Sequence, residues 1–403
     1  MKAGRTLPDL AAEIQRQADS KRDFIAPTTS VTMTVDEAAM RDFERLMSKP
    51  VQGTRNGRSR RRGRRNTAQA DQTPKITVEQ SPVRIMGLDD TTDFGIRPVA
   101  HGQLAERIGI PRRYYDRMAT EAPALLAENV NHWLHHSREN RMFRILDGNV
   151  RAVLSDRYQR LDYFDFFTAI WPILKPIVDA GDLHVESCQV TERKLYLKCV
   201  NQRLKGEVVG DVVQAGLVFS DSETGFGRIN IQQMTYVLRC TNGMVGESVL
   251  GRAHLGGKQG SDSDRVEEML QDDTKAMKEE VLWREVSDVT HAMLTDRDTW
   301  DKTLTKLNDA AKDKIDGDVP GAVVELQKAT KITDKARSGI LKHLIEGGDL
   351  SKWGVSQAVT RYAQDVEDYD EATELETLGH KVIEMPKRTW DVIANAEPQE
   401  KSA

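Results

Sequence analysis

The stretch RMFRILDGNVRAVLS, residues 141 to 155, constrains the fold of this chain more tightly than any other segment: two runs of apolar and arginine residues meet around Asp147-Gly148-Asn149. An Asp-Gly pair between such runs supplies the positive-φ positions of a tight turn, so the segment predicts a β-hairpin. YFDFFTAIWPILKPIVDAG then switches to a helical pattern, bent or stopped around Pro172 and Pro176. LHVESCQVT and KLYLKCVN predict a second hairpin with Glu192-Arg193 near its turn, and VVQAGLVFS and INIQQMTYVLRC predict two more strands. The order strand, strand, helix, then four strands joined mostly by short turns fits an α+β core: a mainly antiparallel sheet with covering helices. A parallel α/β sheet fits less well, because the last four strands lack intervening helices.

At 403 residues the chain exceeds the ~250 to 300 at which a single core stops growing, so two or three domains are expected. Residues 1–81 read as a flexible N-terminal arm. Two short helix candidates, LAAEIQRQADSKRDF and DEAAMRDFERLMSK, flank the Thr-rich APTTSVTMTVDE, with too few large apolar residues for a core of their own. Ala38, Phe43, Leu46 and Met47 fall near one face of the second helix, which suits docking. Residues 82–255 form the expected α+β core. It opens on a strand at Val83 and Ile85, then a short helix within GQLAERIGIPRRYYDRM, a break at Gly109, and a second helix from Pro111 through Trp133. Such a helix pair is compatible with a DNA-reading helix-turn-helix, although nothing in it singles out a recognition helix.

Residues 256–403 read as helical. Apolar residues from Val266 to Leu294 recur near a helical period, predicting a long helix over Asp262 to Asp296 that packs on another helix or a second subunit. Residues 351 to 403 hold six Lys/Arg and eleven Asp/Glu, an acidic tail that could meet a basic arm.

The sequence lacks an apolar run long enough to span a bilayer and an N-terminal apolar block, so a cytoplasmic protein without a membrane partner is expected. Three cysteines without a CxxC pair fit reduced core residues better than disulfides or a zinc site. Enzymatic patterns are weak. His132 and His136 stand one helical turn apart, but Trp133 replaces the glutamate of HExxH and no third ligand is evident. GRAHLGGKQGSD has glycines at 251 and 256, but Gly257 stands where a phosphate loop needs Lys, and Gln259 follows Lys258 where Ser or Thr is needed. A flexible connector is the plain reading, with Lys258 and nearby backbone amides as a candidate phosphate contact. Neither catalysis nor a cofactor is expected.

Charge gives the clearest functional pointer. RNGRSRRRGRRN places Arg55, Arg58, Arg60, Arg61, Arg62, Arg64 and Arg65 within eleven positions of a chain whose formal net charge is -5. Seven guanidiniums between Gly, Ser and Asn cannot form a core and repel one another unless a polyanion neutralises them, so the run is either a nucleic-acid contact or a solvated tether. In FRILDGNVRAVLSDRYQRLD, alternation turns Arg151 away from its neighbours, and Arg157 and Tyr158 follow, a strip suited to a single strand. The competing reading pairs Arg157 with Asp156 or Asp162 to fix a turn. Arg239 ends a strand before a turn at Asn242-Gly243, a structural turn that also offers a cation.

AVLSDRYQRLDYFDFF, GLVFSDSETGFGRINIQQMTYVLRCTNGMV, GRAHLGG and KWGVSQAVTRYAQD, in this order, resemble successive blocks of the phage and plasmid-like family catalogued as domain of unknown function 932. The resemblance covers roughly residues 82 to 370. This chain has Asp221 and Gln357-Ala358 where the family pattern has Asn and Asn-Ala. The resemblance implies a phage-encoded protein in a host cytoplasm and carries no catalytic residue; in outline the family core is similar to phage single-strand annealing proteins. Together these readings lead to the expectation of a non-catalytic, homo-oligomeric protein that binds single-stranded DNA in phage recombination or replication. The alternatives are a self-assembling scaffold and an inhibitor of a host defence protein.

Overall fold

The computed structural model describes residues 2–47, 77–252 and 271–398 of the chain. It is α+β, as the alternation of short strands and helical segments predicts, and its sheets are mainly antiparallel with a helical C-terminal region. The chain divides into two units, Asp19–Tyr158 and a second that joins Met1–Ala18 to Gln159–Ala403. The division differs from the boundaries expected near residues 81 and 255. Helix α1 (Leu7–Ser20) lies mostly in the second unit. Strand β1 (Arg22–Pro27), strand β2 (Thr32–Val35) and helix α2 (Glu37–Met47) build the first. Residues 7–47 are therefore structural elements rather than a flexible arm. They carry too few apolar side chains for a core of their own, but the pairing of β1 and β2 with distant strands places Ala26, Val31 and Met33 in a core shared with them.

In the Asp19–Tyr158 unit, β2 pairs with β3 (Val83–Met86), and β1 joins a four-stranded sheet in the order β1-β5-β6-β4. Here β4 is Gly95–Ile96, β5 is Asn140–Leu146 and β6 is Asn149–Ser155. The hairpin expected at Asp147-Gly148 forms, with φ of 53° and 72° at those residues, the combination a two-residue hairpin turn needs. Helices α3 (Pro98–Arg107), α4 (Arg112–Glu121) and α5 (Pro123–Ser137) follow β4. The helix expected to run through Trp133 is split in two. Pro123 has no N–H to donate and restricts Ala122, so α4 stops and α5 starts there. Phe143, Ile145, Val150 and Val153 share a core with Leu104, Tyr115, Met118, Leu126 and Val130 of the three helices. At about 1.5 to 3 kcal/mol for each large apolar side chain buried, that core holds the helices to the sheet.

The other unit is a five-stranded antiparallel meander, β7 (Leu183–Val190), β8 (Leu195–Val208), β9 (Asp211–Asp221), β10 (Ile229–Val237) and β11 (Asn242–Arg252), in the order β11-β10-β9-β8-β7. It is preceded by α6 (Tyr163–Asp179), which runs through both Pro172 and Pro176 instead of stopping there. The hairpin β5–β6 and the later strands thus belong to separate sheets. A fifth strand also appears where the sequence suggested a turn: Asn242-Gly243 begin β11, and the reversal lies before them, with Thr241 at φ 49°.

Alternation along β8 and β9 gives this sheet two different faces. Leu195, Leu197, Cys199, Leu217 and Phe219 pack with Leu10 and Ile14 of α1, Phe166 and Ile170 of α6, and Val286 of α7 (Asp272–Thr295). The later half of α7 thereby satisfies its apolar stripe within the chain. Burial pushes the Cys188 thiol up to about 11, and Cys199 is buried too, so both behave as small core residues. On the opposite face lie Tyr196, Lys198 and Ser220. The remaining helices are α8 (Arg297–Ala310), α9 (Val319–Thr330), α10 (Asp334–Gly347), α11 (Lys352–Tyr362), α12 (Tyr369–Ile383) and α13 (Lys387–Ala394). Asp318, Thr333, Ser351 and Asp368 cap four of them by accepting from backbone amides. Much of the segment read as an acidic tail is therefore folded: Val355, Val359, Val382 and Trp390 lie in one core with Leu326, Ile340 and Leu344. No described helix is long and apolar enough to cross a membrane.

Candidate nucleic-acid interface

The polar face of the meander floors a cleft of about 610 Å³, walled by the α9–α10 corner and by α12. Tyr196, Ser220 and Asn230 are direct cross-strand partners on β8, β9 and β10, so the floor is one row across three strands. Gln232 continues it along β10, while Thr330, Thr333, Thr373 and Thr377 add hydroxyls from the walls. Four cations line the cleft: Lys194 from the β7–β8 turn, Arg228 from the loop before β10, Lys331 at the C-terminal cap of α9, and Lys381 near the end of α12. Two carboxylates, Glu371 and Glu374, share it. None of the four cations forms an ion pair with a described residue, whereas Lys306 is held 2.9 Å from Glu384 and Lys314 3.2 Å from Asp349. Cations left unpaired beside hydroxyls and amides can accept phosphate without first breaking a salt bridge.

Beside the cleft, on the same face of the sheet, the strands and α12 are fastened by a buried polar network. Lys198 and Glu376, both fully buried, meet at 2.5 Å, and Lys198 also donates to the Thr373 hydroxyl at 2.9 Å. Burial works against the Lys198 charge, but the attraction of Glu376 and Tyr369 outweighs it and holds the ammonium above its ordinary pKa. The Tyr196 hydroxyl donates to Asp370 at 2.9 Å, and the hydroxyls of Ser187 and Tyr369 meet at 2.7 Å.

The loop that carries Arg228 is fixed from below. The Ser222 hydroxyl donates to the Arg193 carbonyl at 2.7 Å and accepts from the Phe226 amide at 2.9 Å, and Thr224 donates to the same carbonyl at 3.0 Å. Glu223 accepts from the Tyr163 amide at 2.7 Å, which ties the loop to the first residue of α6. Gly251 leaves room for the Arg228 guanidinium: a Cβ at 251 would stand 2.4 Å from its central carbon.

The residues picked from sequence fall elsewhere. Arg55, Arg58, Arg60, Arg61, Arg62, Arg64, Arg65 and Lys258 lie outside the described residues. Arg151, expected on an accessible strip, is 2% exposed, and Tyr158 is buried with Met142, Ala152 and Leu154. Alternation turned Arg151 away from its neighbours without exposing it, because β5 and β6 are the two inner strands of a four-stranded sheet with buried side chains on both faces. Its neighbour Arg144, fully buried, makes a two-point pair with Asp23 across β1 at 3.0 and 3.1 Å. Arg157 is exposed. Arg239 is 81% exposed and pairs with Asp211 at 3.5 Å, a surface ion pair across the β8–β9 and β10–β11 ends of one sheet. His132 and His136 are exposed on α5 with ring centroids 4.4 Å apart, and no cluster of three metal-ligating side chains exists among the described residues.

The four cleft cations were not selected from the sequence, because they come from positions 194, 228, 331 and 381 and none lies in a basic run. Their one local signal is Gly225-Phe226-Gly227-Arg228, an aromatic and an arginine set between glycines. The stretch GLVFSDSETGFGRINIQQMTYVLRCTNGMV contributes Ser220, Gly227, Arg228, Asn230 and Gln232 to the cleft. No family model matches the chain, and comparisons with curated proteins and with solved structures give no match.

Proposed function

We propose that this protein binds single-stranded nucleic acid without chemistry, the cleft on the five-stranded sheet holding the phosphates and the arginine run of residues 55–65 adding charge to the binding. The observation that carries the reading is the set Lys194, Arg228, Lys331 and Lys381, gathered around one cleft with no ion pair to a described residue. Four cations against two carboxylates leave the cleft with an excess of positive charge; gathering like charges costs energy, and a polyanion is the partner that offsets it. The resemblance to domain of unknown function 932 supports a place in phage recombination or replication in a host cytoplasm. Met277 and Val281, one turn apart on α7 and both more than half exposed, support self-association as a homo-oligomer.

The test is a salt-titrated anisotropy series with a fluorescent single strand, comparing the wild type with Arg228→Ala/Lys331→Ala/Lys381→Ala. Removing one cation from the phosphates should flatten the plot of log K against log salt by about 0.7, so the triple variant should have a slope shallower by about two. Identical slopes and affinities for the two proteins would remove the cleft from the reading.

A further inference from the structure

Next to the cleft, Phe226 is 39% exposed at the tip of its loop, and the Arg193 guanidinium lies over its ring, 5.0 Å from the centroid. Arg193 and Lys194 are consecutive in the β7–β8 turn, and Phe226 and Gly227 are consecutive in the facing loop. Lys194 runs across Gly227, its Cε 3.2 Å from where a Cβ would stand, and into the cleft. The two loops therefore set an aromatic and guanidinium pair directly beside the Lys194 ammonium, a cation that lines the cleft.

This pair is held in place rather than floating. The Arg193 carbonyl accepts from Ser222 and Thr224, the Phe226 amide donates to Ser222, and Thr191 accepts from the Lys194 amide at 2.9 Å. An exposed phenylalanine with this much support costs solvation energy and contributes little to a core. Exposed rings flanked by cations are how proteins hold unpaired bases, because every base offers a π face while its phosphate seeks a nearby charge.

We infer that Phe226 and Arg193 form a stacking platform for a nucleobase, with the adjoining phosphate on Lys194 and the strand continuing into the cleft. The inference rests on the nucleic-acid reading and makes it more specific: the ligand is a single strand read through its bases, not any polyphosphate. Duplex DNA, whose bases are already stacked, is not a ligand of the platform.

The experiment measures binding of the full chain to an oligothymidylate of about 16 nucleotides and to an abasic deoxyribose-phosphate strand of the same length. Wild type should prefer the base-bearing strand by about five-fold or more. Phe226→Ala should erase that preference and leave abasic binding unchanged, Phe226→Leu should do the same while keeping apolar bulk, and Phe226→Trp should retain it with fluorescence quenched on binding. If wild type binds both strands equally, or if Phe226→Ala keeps the preference, the platform is refuted while phosphate binding stands. If neither strand binds even in dilute buffer, the nucleic-acid reading and the platform fail together.

Discussion

His101 on α3 is 1% exposed, with its Nδ1 3.0 Å from the Tyr115 hydroxyl of α4. Burial, reinforced by the nearby Arg112 guanidinium, lowers its pKa from 6.5 to about 3. The folded ring therefore stays neutral over a range where the unfolded chain takes up a proton. Stability from this site is complete above pH 6.5, falls as pH drops from 6.5 toward 3, and is constant below that. Inside the window each pH unit costs about 1.4 kcal/mol. Denaturant unfolding followed at successive pH values should show this acid limb, and His101→Gln should flatten it; an equally steep limb in the variant would assign acid sensitivity to other groups. Individual residues were only partly legible in the sequence. Cys188 and Cys199 are buried as their type suggests, but so are Arg144 and Arg151, whose type suggests the opposite, because pairing partners and neighbouring strands are not visible in a local window.

Among elements, the junction of β8 with α12 rests on Lys198 and Glu376. Both ions are removed from water, so the pair is worth little net of desolvation, yet removing one partner strands the other. Glu376→Leu alone should cost about 3 to 5 kcal/mol, while Lys198→Met combined with Glu376→Leu should recover most of the loss, as read from denaturant midpoints. A double variant no more stable than the single would show that the charges are not the source. Period-two alternation made β7 to β10 legible, since an apolar face must point one way. Strand β11 was hidden because Gly246, Glu247, Ser248 and Gly251 dilute its pattern and its pairing with β10 shifts register twice. The end of α4 was missed for a different reason: the helical periodicity continues across Pro123, and only the ring's geometry interrupts it.

For the whole molecule, the arginine run and the cleft make separable contributions to strand binding. If all seven arginines meet phosphate, deleting residues 55–65 should lower the single-strand salt slope by up to about five. The slope that remains should in turn fall by about two with the Arg228→Ala/Lys331→Ala/Lys381→Ala substitutions. A deletion that leaves slope and affinity untouched would make the run a tether and place all binding on the folded surface. The two-unit division also shows why the expected domain boundaries shifted: the first unit recruits β1 and β2 from the N-terminal segment, and the second recruits α1.

By itself the sequence determined the local outcomes: the hairpin at Asp147-Gly148, the antiparallel meander, the helical C-terminal region and the basic run. Each follows from backbone preference or side-chain period within some ten to twenty residues. The tertiary structure alone decided that the two sheets are separate, that Arg144 and Arg151 are enclosed, and that cations from positions 194, 228, 331 and 381 surround one cleft. Those outcomes depend on which distant surfaces meet. Burial and charge clustering are properties of that meeting, and no stretch of neighbouring residues encodes them.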